Sequence, residues 1–119
     1  METNKPVLKK QLLFHWGFEG GGSDVFRITE NGKDRIVQRY SYMDFDANDD
    51  EIWHQGENQF ESFEAYWKEA TKDKNWFRGH PLFIHDDCKT IIRKSLEEID
   101  VVGLTENEQM VIDRWKMML

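Results

Sequence analysis

Gln11–Thr29, QLLFHWGFEGGGSDVFRIT, is the stretch whose reading decides the fold. Leu12, Phe14, Trp16 and Phe18 fall on alternate positions, and a period of two puts their large apolar groups on one face of a strand. Leu13, His15 and Gly17 take the other face. Glu19-Gly20-Gly21-Gly22-Ser23 then breaks the pattern, and consecutive glycines suit a tight or bulged reversal because they adopt positive φ without a Cβ clash. Phe26 and Ile28 next alternate with Arg27 and Thr29, so the stretch reads as a hairpin.

Working outward, Asn31-Gly32 is a strong short hairpin signal because both residues tolerate positive φ. A third strand follows, with Ile36, Tyr40 and Tyr42 on one side and Val37, Arg39 and Ser41 on the other. Strands at about 7–18, 23–30 and 34–43 make an antiparallel meander. Leu82-Phe83-Ile84 reads as a short fourth strand or an extended link. Ser62 is placed to cap a helix over about 63–72, with Phe63, Tyr66, Trp67 and Ala70 as its apolar stripe. Asp86 or Asp87 caps a second helix over about 88–99, whose stripe is Cys88, Ile91, Ile92, Leu96 and Ile99. Gly103 marks a break. Thr105-Glu106-Asn107-Glu108 is a capping box opening a last helix, with Val111, Trp115 and Met118 inward and Ile112 and Leu119 beside them.

The expected fold class is α+β: an antiparallel meander sheet of three to four strands with about three helices packed mainly on one face. At 119 residues one domain is expected over 1–119, with the sheet at about 7–43, an acidic loop at about 44–58 and a helical part at about 62–119. Five Trp and eight Phe supply core material. The formal charge of −7 argues against nucleic acid and against an anionic membrane surface, and favours a basic partner. A lone Cys88 excludes an internal disulfide and a multi-cysteine zinc site. No apolar run approaches a spanning length, and METNKPVLKK has no apolar core of a signal peptide, so cytoplasmic residence is expected.

Several groups of residues carry potential chemistry. A phosphate loop needs a helix after its glycines, whereas Glu19–Ser23 is followed by a strand pattern and lacks Gly-Lys-Ser/Thr, so the structural turn is preferred over a ligand loop. Asp44, Asp46 and Asn48 resemble the opening of a calcium loop, but the sixth position is Asp49 rather than glycine and the twelfth is Gln55 rather than glutamate. The run is read as a solvated acidic loop, with an electrostatic landing site for a basic partner as the functional alternative. That surface comprises Asp44, Asp46, Asp49, Asp50, Glu51 and Trp53. His80, His85, Asp86, Asp87 and Cys88 draw a metal site only on paper, because closeness in sequence is not convergence. No cofactor or metal is expected. Cys88 with His85 as base is weaker than Cys88 as a core residue, since Asp86 and Asp87 disfavour a thiolate and the residue lies on the apolar stripe. Trp53, Trp67, Trp76, Trp115 and Phe77 are many large aromatics for so small a core, which points toward recognition.

Phe18-Glu19-Gly20-Gly21-Gly22-Ser23, Ser62-Phe63-Glu64-Ala65, Asn75-Trp76-Phe77, Pro81-Leu82-Phe83-Ile84-His85 and Arg114-Trp115 also carry a resemblance. Together they are similar to a group of small, uncharacterised bacterial proteins with an EGGS-type hairpin. In that group a Ser-Trp-Glu-Ala helix leads through a Pro-Trp turn and a Pro-Leu-x-Val-His segment to another helix. Phe63 stands where tryptophan is usual, and Asn75 where proline is usual. The resemblance implies an α+β domain of bacterial origin and carries no activity or catalytic residues.

The first functional expectation is a non-enzymatic interaction protein of the immunity or inhibitor type, binding a basic protein partner. The rival is a small enzyme or ligand-binding domain with a site at Glu19, Gly20, Gly21, Gly22 and Ser23, drawing on His80, His85 or Cys88. It requires those side chains to meet in one pocket. A homo-oligomer that buries the surplus aromatics is the third.

Overall fold

The computed structural model describes residues 8–72 and 79–119. The start of the first expected strand at residue 7 and the turn residues 75–78, with Trp76 and Phe77, lie outside the described residues. The described chain runs β1 (Leu8–Phe18), β2 (Gly21–Glu30), β3 (Lys33–Phe45), β4 (Glu51–Phe60), α1 (Phe63–Ala70), β5 (His80–Ile84), α2 (Asp86–Glu97) and α3 (Glu106–Met117). The strands form one sheet in the order β4-β3-β2-β1-β5, with every neighbouring pair antiparallel.

The class is therefore α+β, with five strands rather than three to four. The added strand is β4, which occupies most of the region read as an acidic loop at 44–58. Its residues EIWHQGENQF show no apolar alternation because an edge strand that meets the helices only at its Phe60 end is otherwise wet on both faces, and all but Gly56 and Phe60 are exposed. β5 realises the short strand expected at Leu82–Ile84 and pairs with β1.

The turns follow their residues. Glu19 and Gly20 join Phe18 to its partner Gly21, with Gly20 at φ 104°. Asn31 and Gly32 have φ 53° and 76°, which suits a two-residue turn whose twist matches the strands. Gly21 and Gly22 are required by close approach, since a Cβ would stand 2.6 Å from Ser41 O in the first case and 2.7 Å from Trp16 O in the second.

β1 departs from simple alternation. Leu12 pairs with Phe26 and Phe14 with Val25, so Leu13 is an extra residue at a bulge. Leu13 and Phe14 consequently both enter the helix-side core, at 0% and 2% exposure, while Leu12 stands beside Phe26 on the opposite face. The expected placement of Leu12 with Phe14 and of Leu13 with His15 is corrected on this point.

The helices cover one face. Phe14 packs against Trp67 and Trp115, each at 5.7 Å between ring centroids, and Phe63, Tyr66, Cys88, Ile92, Leu96 and Ile112 complete the core. In α3 Ile112 is buried beside Trp115 and Val111 is peripheral, the reverse of the expected order. Ser62 accepts from Ala65 N–H, and Thr105 accepts from Glu108 N–H, as their positions predict. The cap of α2 is His85 rather than Asp86 or Asp87: its Nδ1 accepts from Asp87 N–H, and the two aspartates fall in the first turn. There they complement the positive end of the helix. Val37 and Ile28 are buried but stand outside the helix-side core, on the opposite face with Phe26. Lys10 Nζ lies 4.1 Å from the centre of the Phe26 ring.

Candidate functional site

Residues directly opposite one another in a sheet share a face, so the pairing defines rows across it. His80, Gly17, Gly22, Ser41 and Gln55 form one row across all five strands. The neighbouring row is Phe83, His15, Asp24, Arg39 and Glu57. On the other side stand the Glu19-Gly20 turn and the pair Met43–Trp53. Small side chains between larger ones make a trough, and the structure has an open concavity of about 820 Å³ here. Its flank is a polar ladder: His15 hydrogen-bonds Asp24, and Arg39 Nε lies 4.0 Å from Glu57 Oε1. Leu82 overhangs the floor at Gly17 from the β5 side.

The residues singled out from the sequence fall in three places. Glu19, Gly20, Gly21, Gly22 and Ser23 line the concavity together with His80 and Trp53. Ser23 nonetheless turns its side chain to the helix side, where it is buried and hydrogen-bonded to Tyr66. Burial pushes the Tyr66 phenol up to about 12, and the Ser23 hydrogen bond acts against that rise.

His85 and Cys88 are elsewhere. His85 caps α2, and its Nε2 lies 3.0 Å from Gln11 Nε2. Cys88 is 1% exposed, and burial, followed by the Asp87 charge, pushes its thiol up to about 12. At pH 8 alkylation by iodoacetamide is expected to be at least roughly a thousandfold slower than for a free thiol, because the thiolate is the nucleophile. Mass spectrometry in native buffer and in urea reads this, and rapid native labelling would contradict the buried position. His80 Nδ1 lies 3.1 Å from Arg114 Nη1 on α3, apart from His85 and Cys88. Among the described residues no group of three or more His, Cys, Asp or Glu converges as a metal site.

The acidic run divides. Asp44 lies next to the end of β3, with its carboxylate accepting from Phe45 N–H and lying 3.9 Å from His54 Nε2. Asp46 folds the tip, since its Oδ1 accepts from the N–H groups of Asn48 at 2.8 Å and Asp50 at 3.0 Å. Asp49 takes φ 60° in the turn, while Glu51 and Trp53 belong to β4. The tip carries exposed apolar surface as well as charge, with Phe45 55% and Trp53 53% exposed. Tyr40, Tyr42 and His54 stack along the helix-side face of the same hairpin, with centroids 6.2 and 4.9 Å apart in turn. Sequence reading missed the trough because its rows are assembled from five separate strands. Only the glycine turn signalled it.

The fold and site thus define a small α+β domain with one sheet face covered by helices, an opposite face that no described helix covers and that bears a trough, and a projecting acidic-aromatic hairpin. Compared with protein-family models, curated proteins and solved structures, the chain matches none. No described helix is long and apolar enough to cross a membrane.

Proposed function

We propose that this protein is a non-enzymatic interaction protein of the immunity or inhibitor type, which covers a basic protein partner with the distal β3–β4 hairpin and the sheet face beside it. The observation that carries the reading is the sharing of one projecting hairpin by exposed Phe45 and Trp53 and the carboxylates of Asp44, Asp49, Asp50 and Glu51. Aromatics supply contact area at low entropic cost, and carboxylates steer and orient a cationic partner. The separation of Cys88 and His85 from the trough further favours binding over covalent chemistry.

The test is affinity capture from host lysate at low and moderate salt, with the captured protein then titrated against two forms of this chain. In the second form Asp44, Asp49 and Asp50 become Asn and Glu51 becomes Gln. Asp46 is kept because its carboxylate holds the tip together. Asn tolerates the positive φ at position 49. The neutralised form is expected to bind at least about tenfold more weakly, with a flatter salt dependence. Equal affinity at both salts would remove the reading.

A further inference from the structure

The two edges of this sheet differ in their protection. β5 has five residues, contains Pro81, and pairs with β1 through an irregular register. Arg114 of α3 also reaches its His80. Shortness, proline and bulges are the means by which proteins blunt a sheet edge against pairing with other chains. β4 has ten residues with no Pro, Lys or Arg, and its register with β3 is unbroken from Ile36–Phe60 to Phe45–Glu51. Among the described residues no strand pairs with its outer side.

The hydrogen bonds fix which backbone groups face outward. Met43 N–H donates to Gly20 O at 2.7 Å, so the odd-numbered residues of β3 face β2. Asp46 N–H donates to Asp50 O at 3.0 Å, so the even-numbered ones face β4. Antiparallel alternation then turns the N–H and C=O groups of Glu51, Trp53, Gln55, Glu57 and Gln59 to the free edge. Their side chains lie on the uncovered sheet face, whereas Ile52, His54 and Phe60 lie on the helix side.

We propose that β4 is a strand-addition site, and that an extended segment of a basic partner protein pairs with its outer edge. This rests on the basic-partner reading above and specifies how that partner is held. An added strand alternates its side chains between the two faces. On the open-face side it meets Glu51, Trp53 and Glu57, which suit Lys or Arg through ion pairs and the indole face. On the helix side it meets Ile52 and Phe60, which suit β-branched apolar residues. The recognised segment therefore alternates cationic with β-branched residues. A second copy of this chain is the poorer occupant. Antiparallel self-pairing centred on His54 sets Glu51 opposite Glu57, and centring on Gln55 sets Glu51 opposite Gln59 and Trp53 opposite Glu57, so a second edge supplies no Lys or Arg to either glutamate. Like charges directly opposite are destabilising.

The probe is an eight-residue peptide in which lysine alternates with threonine and valine, together with its counterpart N-methylated along the backbone. Calorimetric titration compares the wild-type chain with Gln55→Pro and Gln55→Ala. Proline at this position removes an outward N–H and leaves the β3 ladder intact, a placement edge strands tolerate. Circular dichroism and thermal midpoints check that each variant folds. Gln55→Pro and backbone methylation are each expected to weaken binding at least about tenfold, and Gln55→Ala by no more than about twofold. Wild-type affinity in Gln55→Pro, indifference to N-methylation, or no binding of the peptide overturns the edge site. Those results leave the basic-partner reading standing, since that reading falls only with the acid-neutralised hairpin. N-methylation tests the inference on the unaltered protein even if the proline variant misfolds. A dimer in light scattering that Gln55→Pro converts to monomer also overturns it, by making a second copy the occupant.

Discussion

Trp115→Ala is expected to lower the unfolding free energy by about 3–5 kcal/mol, the usual cost of deleting a buried Trp or Phe ring. Trp115 has no exposed surface and sits where α3, α1 and β1 meet, against Phe14 and Trp67. Its Nε1–H donates to Gly79 O at 3.1 Å, which ties the start of β5 to the last helix. A small domain has only about 5–15 kcal/mol in total, so the variant is expected to sit near its unfolding threshold. Trp115→Phe keeps most of the ring and loses the donor, leaving the carbonyl unpaired at about 1–3 kcal/mol. Urea titration followed by far-ultraviolet circular dichroism orders the three proteins. A loss below about 1 kcal/mol for the alanine variant would show that the surrounding structure collapses into the site far better than core sites usually do.

Leu13→Ala is the second large effect, at about 2–5 kcal/mol for a fully buried leucine. Its neighbour is the control. Leu12 is only half-buried on the open face, so Leu12→Ala is expected to cost at most about 1.5 kcal/mol, less than full burial of a leucine is worth. Simple alternation from Phe14 and Trp16 would instead bury Leu12 and leave Leu13 outside, so the two readings predict opposite rankings. The same urea titration decides between them, and a larger loss at Leu12 would argue against the bulge.

That reversal shows how far local pattern reaches in this chain. The helices were legible because each has an apolar stripe at helical spacing and two of them open on a recognisable capping side chain, as in Ser62 before Phe63, Tyr66 and Trp67. The first hairpins were legible because Gly20, Asn31 and Gly32 occupy positive φ that most residues avoid. β4 was not legible. A strand with water on both faces has no hydrophobic period, and its place is set by pairing with Ser41, Tyr42 and Met43 rather than by its own side chains. His85, from the sequence only a weak candidate base or ligand, is a helix cap, because an imidazole nitrogen accepts an N–H as a carboxylate does.

The sequence by itself determined the α+β class, the first two hairpin turns, the starts of the first and last helices and the acidic-aromatic character of residues 44–53, since each depends on the conformational and solvation preferences of residues near one another in the chain. Tertiary structure alone decided that Leu13 enters the core, that Gly17, Gly22, Ser41 and Gln55 align as a trough, and that β4 is an edge strand with no described strand on its outer side. Those features depend on the register between strands. Register is fixed by burying one face of the whole sheet at once, not by any single strand.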